Sequence, residues 1–309
     1  VDMQDAFSKD NDKISLSTWL SVQPEDYQYA AMDDTIPVYR LLAFYNLGLD
    51  AWSFDAGLEH LSPDPVYLNS SDPKHTQRLE NYSTLYTAAF DAWFFGAAVL
   101  GEADALTEKP LRVEVRWPVD PAIGASHYSP ADHCIRLEEI DSLRDDNSRF
   151  AILHEFGHAF DLTTNGGIFR AYEEYGSDNV NHGGYMNKTT SDSYLEGFAT
   201  FFAGAVQLYS GYKNPGTISS VELADPGLYT AWGRNGKNEE FAIATLLYNA
   251  QYLVDDVAAY WSILKEDKHN FYEYYTAIKN YLDERSPEAA QRLRQCAIDG
   301  GLYRMPFGG

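Results

Sequence analysis

The chain has 309 residues, 45% of them hydrophobic and 15% aromatic, enough to bury one large core or two lobes. Acidic side chains outnumber basic ones 46 to 23, a formal charge of −23, so the surface repels phosphate backbones and anionic lipid and argues against nucleic-acid and membrane partners. No window holds the roughly 18 apolar residues of a membrane-spanning helix, and two cysteines, Cys134 and Cys296, are too few for a disulfide scaffold.

Residues 1–20 are polar and read as a peripheral arm, with neither a basic n-region nor an apolar h-region. A chain that opens on Val1 rather than Met reads as processed or trimmed, so any signal peptide would be missing, and a secreted or extracytoplasmic protein is the expectation. The N-x-S/T sequons at Asn69, Asn81 and Asn187 are compatible with that. From Pro24 to Leu61 aromatic and aliphatic residues recur at helical spacing, as in VYRLLAFYNLGLDAW. A Pro-, Ser- and Asp-rich connector, Ser62 to Lys74, leads into a strongly aromatic helix from Arg78 to Leu100 that Gly101 ends. Its stripe of Tyr82, Tyr86, Phe90, Trp93 and Phe94 is expected to pack on the rest of the molecule rather than line a cleft. Residues 1–105 are thus expected to be a helical, aromatic-rich region.

Strands follow. LRVEVRW, Leu111 to Trp117, alternates apolar and polar residues, and Cys134 to Leu137 forms a second strand. Whether that second strand offers an edge to an extended peptide or lies inside a sheet, the residues leave open. His127 and His133, in the same stretch, read as solvent-facing. A bridge between Cys134 and Cys296 and a pair of thiols stand at even weight.

The informative stretch is FAILHEFGHAFD, Phe150 to Asp161. His154 and His158 lie four residues apart, so in a helix their rings project from one face and grip a single ion. Glu155 sits beside the pair, where its carboxylate reaches a water at the metal without ligating it. With 8 His in the chain, an accidental H-E-x-x-H has roughly a 1% chance. Phe150, Ile152, Leu153, Phe156, Ala159 and Phe160 give the helix its apolar faces, and Asn165 to Gly167 end it. A catalytic zinc site takes a third protein ligand. Asp161 and Thr164 stand where a His-three site would carry Gly and His, which excludes that variant. Two candidates remain. Glu196 opens the otherwise apolar helix SDSYLEGFATFFAGAVQLY, where a lone carboxylate is expensive to bury, and it ranks ahead of Glu174, which with Glu173 lies in a solvated segment. After a turn-rich excursion, Gly211 to Gly236, NEEFAIATLLYNAQYLVDD reads as a long helix, with further helices around Val257–Leu264, Phe271–Leu282 and Glu288–Ile298. Asp255 and Asp256 lack calcium-loop spacing and read as a helix cap or solvent-facing pair.

HEFGHAFD, followed 38 residues after His158 by EGFATFFA, resembles the gluzincin class of zinc metallopeptidases, and within it the anthrax-lethal-factor-like and related secreted peptidases. The resemblance covers Phe150 to Ala205. It implies Zn2+ held by His154, His158 and Glu196, Glu155 as general base, and Asp161 as an outer acceptor or helix anchor. The chain departs from these relatives in two places. Thr200 stands where thermolysin-like members carry an Asp four residues after the ligand Glu, so that outer acceptor is expected to be missing. Thr189 stands where lethal-factor-like members carry an oxyanion-binding Tyr, which leaves Tyr185, Tyr194 and His182, in that order, as replacements.

The expected protein is an α+β, zincin-like metallopeptidase with a small mixed or antiparallel sheet and a mostly helical remainder. Its catalytic domain spans 106–309, includes a helical C-terminal lobe, and acts as a monomer on peptide or protein substrates. The alternatives are a zincin-fold binding module without catalysis, against which the intact HExxH counts, and a zinc amidohydrolase acting on a non-peptide amide.

Overall fold

A computed structural model describes residues 20–25, 40–46, 51–57, 88–89, 91–108, 111–116, 126–131, 133–137, 146–164, 191–210, 220–231, 238–266 and 271–302. The fold is α+β. Four strands form a mixed sheet in the order β1 (Leu20–Glu25), β4 (Leu111–Arg116), β6 (Cys134–Leu137), β5 (His127–Ser129), and β2 (Arg40–Asn46) pairs with β3 (Ala51–Gly57) as a separate antiparallel ribbon. β1 and β6 both run parallel to β4, with Val22 opposite Val113 and Val113 opposite Ile135, while β5 folds back antiparallel on β6.

The N-terminal region differs from the helical expectation. RLLAFYN and AWSFDAG are strands rather than a helix, and β1 joins the sheet of the region beyond residue 105. The helical spacing misleads because the aromatic and aliphatic residues that carry it suit a strand equally well, and the run's punctuation, Asn46, Gly48 and Asp50, is turn chemistry. Tyr82, Tyr86 and Phe90, the polar arm before residue 20 and the sequons fall outside the described residues. The aromatic helix does end at Gly101, whose φ of 78° suits a residue without Cβ. Its last turn, Phe95–Val99, is π-helical, and Gly96 there lies against the Phe160 ring.

Helices build the rest: α1 (Ala103–Glu108), α2 (Asp146–Thr164), α3 (Ser191–Ser210), α4 (Ser220–Leu223), α5 (Asn238–Val254), α6 (Val257–Leu264), α7 (Phe271–Arg285) and α8 (Pro287–Asp299). The apolar residues of α2 are buried because the helix is enclosed: it packs on β5 and β6 and on α3, which in turn packs on α5. Thr163 and Thr164 close its last turn, their hydroxyls donating to the Ala159 and Phe160 carbonyls at 2.7 and 2.9 Å. An aromatic cluster fills the junction, with Phe160 4.9 Å from Trp261 and 5.0 Å from Phe202 between ring centres. Trp261 and Lys265 both donate to the Glu102 carboxylate, at 2.6 and 2.9 Å, tying α6 to the segment ahead of α1. Asp256 caps α6, accepting from the Ala259 N–H at 2.9 Å, which is the capping use of the Asp255–Asp256 pair. Cys134 and Cys296 are not bridged: one is buried in β6, the other half-buried on α8. Among the described residues no helix is long and apolar enough to cross a membrane.

Candidate metal centre

α2 and α3 cross closely enough to bring ligands from both to one point. Gly157 allows it, since its Cα faces Ala199 of α3 so tightly that a Cβ there would lie 2.7 Å from the Ala199 Cα. Two more close approaches set α3: Gly197 lies against Ile243 and the Glu240 carbonyl of α5. His154 and His158 then present perpendicular rings, centres 4.8 Å apart, to the start of α3.

Glu196 lies between them. Its Oε2 is 3.1 Å from His154 Nε2 and its Oε1 is 3.5 Å from His158 Nε2. One donor atom from each of the three residues lies within 4.8 Å of the others, so this half-buried group can hold a metal ion. Two imidazoles and a carboxylate are a donor set that zinc takes, and the three residues supply it. Glu174, the other candidate for third ligand, lies outside the described residues.

The electrostatics of this cluster are strongly coupled. Burial opposes the imidazolium of His158, but the Glu196 carboxylate, backed by Glu155 and Asp161, outweighs it and lifts the pKa to about 9. Burial likewise opposes the charge on Glu196, and the two imidazoles hold its carboxyl well below the usual range. Asp161 is itself buried and adds to the field on His158.

Glu155 is buried on the sheet side of α2. Its Oε2 accepts the backbone N–H of Tyr128 at 2.7 Å, so β5 aims the carboxylate. Burial pushes its pKa up, against the pull of His154 and His158. β6, the strand whose exposure the sequence left open, is interior, flanked by β4 and β5, and among the described residues β5 is the last strand of the sheet, beside Glu155. The turn between β5 and β6 carries His133 at φ 49°, buried rather than solvent-facing, with Nδ1 2.7 Å from the Tyr128 hydroxyl.

Of the oxyanion candidates, Tyr185 and His182 lie outside the described residues. Tyr194 is a core residue: its ring stacks on Tyr274 with centres 3.9 Å apart, its hydroxyl is enclosed, and burial drives its pKa well above the ordinary value. An enclosed hydroxyl does not reach a substrate, so Tyr194 is set aside for that role. Thr200 is a second correction. Far from leaving His154 without an outer partner, its hydroxyl lies 3.2 Å from His154 Nδ1 and is 2% exposed. Its position, one turn beyond Glu196 on the same helical face, was the available signal. No family model matches the chain, and no curated protein or solved structure matches it at a significant level.

Proposed function

We propose that the protein is a metal-dependent hydrolase of the zincin type. More narrowly, it is a gluzincin-like zinc peptidase in which His154, His158 and Glu196 hold the ion and Glu155 is the general base, acting on peptides or proteins outside the cell. The observation that carries this is the convergence of two imidazole nitrogens on the two oxygens of Glu196, at 3.1 and 3.5 Å, with a buried carboxylate one residue from the first ligand.

When bound, zinc supplies Lewis acidity toward a water and toward the scissile carbonyl. Glu155 takes the water's proton. Its Oε2 is occupied by the Tyr128 N–H, which leaves Oε1 for the transfer, and burial has raised its basicity. The same carboxyl returns the proton to the leaving amine.

The test uses the full chain, loaded with zinc and incubated with a peptide library read by mass spectrometry. Glu155→Gln should retain one zinc and lose roughly 10²- to 10⁴-fold in cleavage rate. Cleavage by that variant at the wild-type rate refutes the base. Absence of stoichiometric zinc points instead to a binding module, and zinc without peptide cleavage to a non-peptide amide.

A further inference from the structure

We propose that Thr200 is a positioning residue for the metal centre: it holds the His154 ring with Nε2 toward the ion, and because it is neutral it leaves the ion more loosely bound than a carboxylate would. This rests on the reading of His154, His158 and Glu196 as ligands.

α3 touches both nitrogens of one imidazole. Glu196 reaches Nε2 at 3.1 Å, and Thr200, four residues on and therefore on the same face, reaches Nδ1 at 3.2 Å. A ligating imidazole offers the metal a lone pair on one nitrogen and carries its proton on the other, and that proton needs an acceptor to fix ring and tautomer. Oγ1 of Thr200 is in place to accept it. The hydroxyl is buried at 2% exposure, so bulk water does not compete, and a β-branched side chain in a helix has little χ1 freedom to lose.

The choice of hydroxyl has two consequences. A hydroxyl donates or accepts. It therefore serves His154 both when Nε2–H points at the Glu196 carboxylate and when the Nε2 lone pair points at an ion, with the ring proton on the opposite nitrogen in the two cases. A carboxylate only accepts and would suit the second arrangement alone. A carboxylate also raises the basicity of the imidazole it partners, and a neutral hydroxyl does so far less.

Zinc dissociation constants from chelator competition on the full chain test this, with Thr200→Val, Thr200→Ala, Thr200→Ser and Thr200→Asp set against wild type and ¹⁵N shifts of the zinc-bound imidazoles reporting the tautomer. Loss of an outer partner weakens metal binding roughly 10- to 100-fold, so Val and Ala should weaken it by at least about tenfold, Ser should restore it, and Asp should tighten it. Val matches the Thr shape and Ala cannot overpack, so one folded variant suffices, as judged by circular dichroism without metal. Wild-type affinity in a folded Val or Ala variant, or failure of Ser to rescue, overturns the role of Thr200 while leaving the ligand set standing. A wild-type protein that takes up no zinc overturns the ligand set itself.

Discussion

Replacing Gly157 with Ala should damage the metal centre far more than it damages the fold. The added Cβ would meet Ala199 at 2.7 Å from Cα, 3.1 Å from the carbonyl oxygen and 3.2 Å from Cβ. Carbon atoms in contact settle at roughly 3.5–4.0 Å, and the obstacle is backbone, so α2 and α3 have to part by about 1 Å. On stability the effects nearly offset: α2 gains about 1 kcal/mol of helix propensity, while overpacking costs roughly 1–3 kcal/mol. The metal is less forgiving. Gly157 precedes His158 by one residue and Ala199 follows Glu196 by three, so the parting falls on the ligands, and metal sites hold their distances to within about 0.2 Å. Zinc affinity should fall at least about tenfold, the low end of what disturbed outer partners alone produce. Chelator competition measures it, with urea unfolding of the metal-free protein alongside. Gly101→Ala is the control: at φ 78° it costs stability, roughly 1–2 kcal/mol, with nothing within 4 Å to push on the site. Unchanged zinc affinity in Gly157→Ala, or an equal loss in Gly101→Ala, refutes the reasoning.

Tyr128→Phe removes the buried bond between the Tyr128 hydroxyl and His133 Nδ1, and should lower stability by about 1–3 kcal/mol while leaving zinc stoichiometry intact; a urea midpoint equal to wild type would contradict this. Asp91 offers a pH test. Arg149 donates to it at 3.1 Å, yet burial, the larger influence, lifts its pKa from 3.8 to about 6. The folded state therefore binds the proton more tightly than the unfolded chain, and this carboxyl's contribution to stability falls as pH rises from about 3.8 through about 6, by at most on the order of 3 kcal/mol. Asp91→Asn lacks that slope, so its stability relative to wild type should improve between about pH 4 and about pH 7 in urea unfolding, and a constant difference would sink the assignment.

What could be read in the sequence divides along a physical line. α2, α3 and α5 through α8 declare themselves by local patterns, apolar faces at helical spacing and a cap such as Asp256, and those elements lie where the residues placed them. The ligand spacing is local too, and Glu196 stood out because a carboxylate on an apolar helix demands a partner. The strands of the first sixty residues did not declare themselves, because β1 gains its place from β4, some ninety residues away, and the apolar residues of Arg40–Asn46, whose spacing fits a helix, pair with Ala51–Gly57 instead. His133 was misjudged for the same reason. Its burial comes from Tyr128 across the turn, a contact no single-residue tendency encodes. Thr200 was visible in spacing but judged by residue type, as the absence of an acid, when a hydroxyl in a dry helix crossing also satisfies an imidazole nitrogen.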